Sequence, residues 1–97
     1  MSSDSPTLVL RPHGWQGRTQ VLDGREVTIG RHPSNTVRLT DEKASRHHCS
    51  VRPDDSGRYI VVDLDSRNGT RINEVKIKKS HIDEGDVLRV GGHEFLV

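Results

Sequence analysis

Three short stretches of this chain concentrate side chains that donate hydrogen bonds or carry positive charge. They are Gly30-Arg31, Ser45-Arg46-His47-His48 and Ser66-Arg67-Asn68-Gly69-Thr70. Arg31 directly follows an apolar, strand-like run. Its stem is therefore held, while its planar fork stays free to meet an oxyanion with two parallel N–H bonds. Ser45 offers a hydroxyl donor, and Arg46 sets a second cation beside it. Asn68 has an amide that both donates and accepts, which suits a peptide backbone. A phosphorylated side chain brings about −1.5 to −2 charge and three acceptor oxygens, a load that donors at loop tips can meet without a deep pocket.

Other chemistries fail on residue type or spacing. His47-His48-Cys49 has metal-ligand types, but neighbours in a strand point to opposite faces and zinc takes three or four ligands. No metal or other cofactor is expected. Ser45 with His48 and Asp63 or Asp65 has the types of a hydrolase triad, yet the chain contains no Gly-x-Ser-x-Gly elbow. It also has no Walker A loop and no Gly-x-Gly-x-x-Gly turn, so a non-enzyme is expected. Lys76, Lys78, Lys79, Arg67 and Arg71, with Arg31 and Arg46, could form a basic face for nucleic acid. Trp15, Tyr59 and Phe95 are the only aromatics, too few for a base-stacking platform. A solvated, charged sheet edge that discourages strand pairing accounts for Lys76 to Lys79.

The elements that must position these loops are strands. The chain has 97 residues, 15 Lys plus Arg, 14 Asp plus Glu and a formal net charge of +1. That length fits one domain, and the balanced charge leaves any electrostatic recognition local. Eleven Val, five Ile and seven Leu stand against a single Ala. β-branched residues favour pleated strands and Ala favours helix, so the composition argues for an all-β domain. No apolar run approaches the ~20 residues of a membrane helix. Met1 to Pro6 lacks the basic and apolar regions of a secretory leader and reads as a loose polar end. The lone Cys49 excludes an internal disulfide and fits a reducing, cytoplasmic setting.

Strand-like runs are expected at 7–10, 19–22, 26–29, 37–39, 48–52, 58–63, 70–72, 75–77, 87–90 and 94–97. Asp23-Gly24, Asp55-Ser56-Gly57 and Gly91-Gly92 supply the turn chemistry between them. Many short strands at this spacing predict a single β-sandwich of about eleven strands over residues 7–97. The longer connections 31–36, 40–47 and 65–69 would gather at one edge, where loops on a rigid scaffold usually carry function.

In this setting the chain resembles a forkhead-associated domain, a phosphothreonine-binding module. The ordered pattern is Gly30-Arg31, Ser45-x-x-His48, Asn68-Gly69 and Gly85-Asp86, and the resemblance covers roughly Thr7 to Val97. It implies a non-catalytic module that binds a phosphothreonine in a partner or in its own parent protein, acting as a monomer in signalling. By resemblance, Arg31 and Ser45 contact the phosphate, Arg46 joins them, Arg67 lines the cleft and Asn68 pairs with the peptide backbone. Lys43 lies where some members read the side chain three residues after the phosphothreonine, and a lysine there would favour an acidic residue. The resemblance makes His48 a loop buttress, Gly30 and Gly69 backbone devices, and Thr70 and Asn73 braces for the same loops. The other function open to this fold is a scaffold that binds partners through its sheet faces without phosphorylation.

Overall fold

The computed structural model describes residues 8–97, which form eleven strands. The loose polar end expected at 1–6 lies outside the described residues. The strands are β1 (Leu8–His13), β2 (Gln20–Leu22), β3 (Val27–Gly30), β4 (Val37–Arg38), β5 (Cys49–Pro53), β6 (Tyr59–Asp63), β7 (Thr70–Ile72), β8 (Val75–Ile77), β9 (Lys79–Ile82), β10 (Val87–Val90) and β11 (His93–Leu96). Two sheets result, one ordered β2-β1-β11-β10-β7-β8 and the other β4-β3-β5-β6-β9. All observed pairs are antiparallel except β3 with β4. No helix among the described residues is long and apolar enough to cross a membrane.

Period-two patterning explains why the sheets face one another. Thr70 and Ile72 are buried while Arg71 between them is exposed, and Leu88 and Val90 are buried while Arg89 is exposed. The inward set includes Phe95, Leu10, Ile29, Leu39, Ile82 and Leu88, all essentially inaccessible to solvent. Removal of this apolar surface from water, at about 25 cal/mol per Å², is the main force holding the sandwich closed. Trp15 closes one side: its Nε1–H donates to the Glu94 carbonyl at 2.8 Å, and its ring meets Phe95 edge-on with centroids 5.4 Å apart.

Most strands begin and end within one residue of expectation, and two features differ further. β1 runs on to His13, because its first half pairs with β2 and its second half with β11, giving Arg11 to His13 a partner of their own. β9 is absent from the sequence reading, since Lys79-Ser80-His81-Ile82 has one apolar anchor, Ile82. A single inward residue suffices there because β9 is the last strand of its sheet and pairs only with β6. Lys76 and Lys79 are exposed on the two edge strands β8 and β9, where charge blunts edge-to-edge association.

Candidate functional site

Three loops at one end of the sandwich are joined by hydrogen bonds. They are the β3–β4 loop that begins with Arg31, the β4–β5 loop that carries Lys43 to His48, and the β6–β7 loop that carries Ser66 to Gly69. The first two are stitched by backbone: Arg31 N–H donates to the Ser45 carbonyl at 3.0 Å and His32 N–H to the Arg46 carbonyl at 3.1 Å. Gly30 makes this approach possible. A Cβ built there would lie 2.2 Å from the Arg46 carbonyl oxygen, so no larger residue fits without moving the loop.

The third loop is tied in by His48, which is fully buried. The Ser45 backbone N–H, always a donor, points at His48 Nδ1 at 3.0 Å. Nδ1 therefore carries the lone pair, and Nε2–H donates to the Gly69 carbonyl at 2.8 Å. One ring spans two loops. The Ser45 hydroxyl completes the join by accepting the Arg67 N–H at 2.9 Å. That bond occupies an oxygen lone pair and leaves the hydroxyl proton to donate elsewhere. Asn68 Nδ2 donates to the Lys43 carbonyl at 2.7 Å, a second tie between the same loops.

Arg31, Arg46 and Arg67 thus bracket Ser45 through their backbones, and all three side chains are exposed. Arg31 is the best fixed: its Nε–H donates to the Ala44 carbonyl at 2.6 Å, which orients the fork and leaves its two terminal nitrogens to meet an acceptor. Among the described residues, basic side chains meet carboxylates in the ion pair Arg58–Asp83 and in the imidazole–carboxylate contacts His81–Asp54 and His93–Asp41. None of them neutralises these arginines. The rim therefore offers guanidinium groups, a hydroxyl and an amide to an oxyanion, with no carboxylate paired to them.

The sequence reading missed the supports beneath this rim. Asp63 accepts from Ser66 Oγ at 2.5 Å, Ser66 N–H at 3.1 Å and Thr70 Oγ1 at 2.7 Å. Burial pulls its carboxyl upward, but the bonds from Ser66 and Thr70 outweigh it and hold the carboxyl below its ordinary range. Thr70 is fully buried and serves this carboxylate. Ser66 Oγ also accepts the Gly69 N–H at 3.0 Å, so Asp63, Ser66 and Thr70 shape the turn that presents Arg67 and Asn68. An Asp followed three residues later by Ser is a local capping pattern that could have marked this turn. Asn35, buried in the β3–β4 loop, donates from Nδ2 to the carbonyls of His32 and Arg46 at 2.8 and 2.7 Å. Asp41 accepts from Lys43 N–H at 3.0 Å and Gly92 N–H at 2.6 Å, pinning the β4–β5 loop to the β10–β11 turn.

One candidate lies differently from expectation. Asn73 bonds with Asp86 Oδ1 at 2.9 Å and with Val87 N–H at 2.9 Å. It ties the β7–β8 turn to the β9–β10 turn, and its hydrogen bonds do not reach the three loops. Cys49 is fully buried, and burial pushes its thiol up to about 12. A thiol held in that state is a small core residue and a poor nucleophile.

A β-sandwich whose loops at one end present arginine, serine and asparagine around a buried histidine defines a recognition module. The family model described as FHA domain matches residues 27–91, more than half of the chain, and the chain belongs to that family. It is 32% identical over 91 residues to the glycogen accumulation regulator GarA of Mycolicibacterium smegmatis, covering 94% of this chain and 57% of that one. It is 33% identical over 95 residues to the FHA domain-containing protein FhaA of Mycobacterium tuberculosis, covering 98% of this chain and 18% of that one. The chain therefore spans only part of these relatives' lengths. A solved structure described under phosphothreonine-dependent FHA domain interactions superposes with a TM-score of 0.85 at 32% identity, covering 94% of each chain.

Replacing His48 with alanine removes the ring that joins Ser45 to Gly69. Each buried polar group left without a partner costs about 1–3 kcal/mol, so His48→Ala should lower the melting temperature by roughly 10 °C or more for a domain this size. Calorimetric or circular-dichroism melting checks this, and an unchanged melting temperature would refute the joining role.

Asp63 supplies a pH test. Its carboxyl is held below the unfolded value of ~3.9. The stabilisation is therefore fully present above that value and is lost as pH falls through the lower folded value. Denaturant midpoints of the wild type should drop across that acid window, while Asp63→Asn, already less stable at neutral pH, should show a flatter profile.

Proposed function

We propose that this domain recognises a phosphothreonine in an extended peptide segment, of a partner or of its own parent protein, and performs no catalysis. The observation that carries the reading is Ser45, with its hydroxyl proton left to donate and three arginines tied around it. Arg31 and Ser45 grip the phosphate, with Arg46 and Arg67 adding charge. Asn68 pairs with the peptide backbone, and Lys43 meets an acidic side chain further along. Gly30, His48, Gly69 and Thr70 keep the loops in shape. Two things support the reading besides geometry: family membership, and the superposition on a structure described by phosphothreonine-dependent interactions.

Two observations speak against turnover. The imidazole nearest Ser45 receives the Ser45 backbone N–H at Nδ1, so it is not placed to take the hydroxyl proton. The buried, high-pKa Cys49 is no nucleophile. A lone cysteine fits a reducing cytoplasmic compartment, and the charged edges of both sheets fit a monomer.

Titration with matched phosphothreonine, phosphoserine and unphosphorylated peptides tests this directly. A hydrogen bond to a charged group contributes ~1.5–3 kcal/mol, so Arg31→Ala should weaken phosphothreonine binding by at least about tenfold. Phosphoserine, one methyl smaller, should bind more weakly. Equal binding of phosphorylated and unphosphorylated peptides would sink the proposal.

Affinity should also fall on acidification. The second phosphate pKa is about 6, so the dianion that the arginines favour is lost below it. A flat affinity profile between about pH 7.5 and 5 would argue against dianion recognition.

A further inference from the structure

The turn that leads into Ser45 is anchored from below by one carboxylate. Asp41 accepts the Lys43 N–H at 3.0 Å and the Gly92 N–H at 2.6 Å, while its own carbonyl accepts the Ala44 N–H at 3.0 Å. The Asp41–Ala44 turn therefore sits against the β10–β11 turn. Its last carbonyl, that of Ala44, is the acceptor that orients the Arg31 fork. The contact is tight: a Cβ built at Gly92 would lie 2.7 Å from Asp41 Oδ2, and one at Gly91 3.0 Å from the Ala44 nitrogen.

A further group reaches Asp41. His93 shares the inward face of β11 with Phe95, and its Nδ1 lies 3.3 Å from Asp41 Oδ2. That nitrogen is screened from solvent and makes no well-aligned hydrogen bond. A buried ring nitrogen in that condition is costly, and protonation of the ring turns the contact into an ion pair. Histidine is the side chain that changes charge between about pH 5 and 8. Asp41 stays ionised across that window: the Lys43 N–H, against the upward pull of burial, together with the Gly92 N–H and His93, holds its carboxyl below the ordinary range. The other charged groups around the ring, among the described residues, are cations. Arg18 from the β1–β2 loop and Arg38 from β4 line the cleft that His93 borders, and the Lys43 stem lies against Gly92. Glu94 is turned to the opposite face of β11, in register with His13 and Arg89. Asp41 is thus the carboxylate that a protonated His93 meets.

We propose that His93 is a positioning residue whose protonation tightens the grip on phosphothreonine. The imidazolium pairs with Asp41 and fixes the Asp41–Ala44 turn, and through it Ser45 and the carbonyl that holds Arg31. The proposal rests on the phosphothreonine reading. The clasp is made below the titration of the ring and released above it, opposite in sign to the loss of the phosphate dianion on acidification. By linkage the effect is reciprocal, so a bound phosphothreonine favours the protonated ring.

Trp15 reports the proton. It is the only tryptophan of the chain, and its ring meets the His93 ring edge-on with centroids 4.4 Å apart, close enough for a protonated imidazole to quench indole emission. Emission of the full chain, titrated from about pH 8 to 5, should fall in a step that His93→Gln abolishes and Asp41→Asn moves to lower pH. A saturating, tryptophan-free phosphothreonine peptide should move the wild-type step upward by about half a pH unit, the equivalent of about threefold in affinity. In Asp41→Asn the same peptide should leave the step in place. Wild-type affinity divided by that of His93→Gln should likewise grow about threefold over the same pH range, because the titration of the phosphate itself is common to both chains and cancels. The proposal is overturned if no such step appears, if the peptide does not move it, or if the affinity ratio is flat with pH. It is also overturned if the shift persists in Asp41→Asn, which would make it an effect of charge alone. The shift is read on the wild type, so a variant that folds poorly does not spare the proposal. In each of those cases phosphothreonine-dependent binding that Arg31→Ala weakens leaves the parent reading standing. Binding that ignores phosphorylation altogether overturns both.

Discussion

A single buried imidazole holds the functional end of this sandwich together. His48 accepts the Ser45 N–H on one nitrogen and donates to the Gly69 carbonyl with the other. The two groups it satisfies belong to loops that the sequence separates by about twenty residues; the β5–β6 pairing, Cys49 opposite Asp63, brings the roots of these loops together, and the ring fixes them further out. In a low-dielectric interior an unpaired amide or carbonyl is expensive, so the loops hold one relative position. Charged hydrogen bonding at the rim depends on that position, since a guanidinium fork and a hydroxyl meet one oxyanion only when their stems are fixed.

The same logic runs through the supports around the ring. Backbone groups that the loops cannot pair among themselves are taken by short polar side chains: Asp63, Ser66, Asn35 and Asp41. Carbonyl oxygens of Ala44, Ser45 and Arg46 accept bonds from the β3–β4 segment. The structural demand therefore falls on backbone atoms and small residues. The long cationic side chains of Arg46 and Arg67 contribute only their backbones to the scaffold, which leaves their charge available. Arg31 is the exception that sharpens the point, because its Nε alone is committed.

Charge follows a similar division. The chain as a whole is nearly neutral, yet the loop rim and the adjoining face of the six-stranded sheet carry cations that the carboxylates do not pair. Ion pairs occur elsewhere, as between Arg58 and Asp83 at 3.0 Å. Local fields of one sign on a neutral molecule favour recognition of a small, concentrated anion over long-range attraction to a polyanion. Fold and charge placement thus agree on the size of target the module is suited to.

Much of this was legible in the residues themselves. The excess of Val, Ile and Leu over Ala, the period-two runs and the glycine turns determined an all-β sandwich, because strand propensity and alternation are local properties. The ordered Gly30-Arg31, Ser45-x-x-His48 and Asn68-Gly69 motifs determined which loops matter. Other features required the folded molecule. Strand β9 escaped notice because its burial comes from one edge contact. Asn73 braces a different pair of turns, because its partners, Asp86 and Val87, meet it only in the folded chain. The ties made by Asn35 and the facing of Arg71 against Arg89 became visible only through loop closure and sheet register. Spacing along the chain sets what each residue can offer; which partner it meets depends on the three-dimensional path that brings separate segments within hydrogen-bond reach.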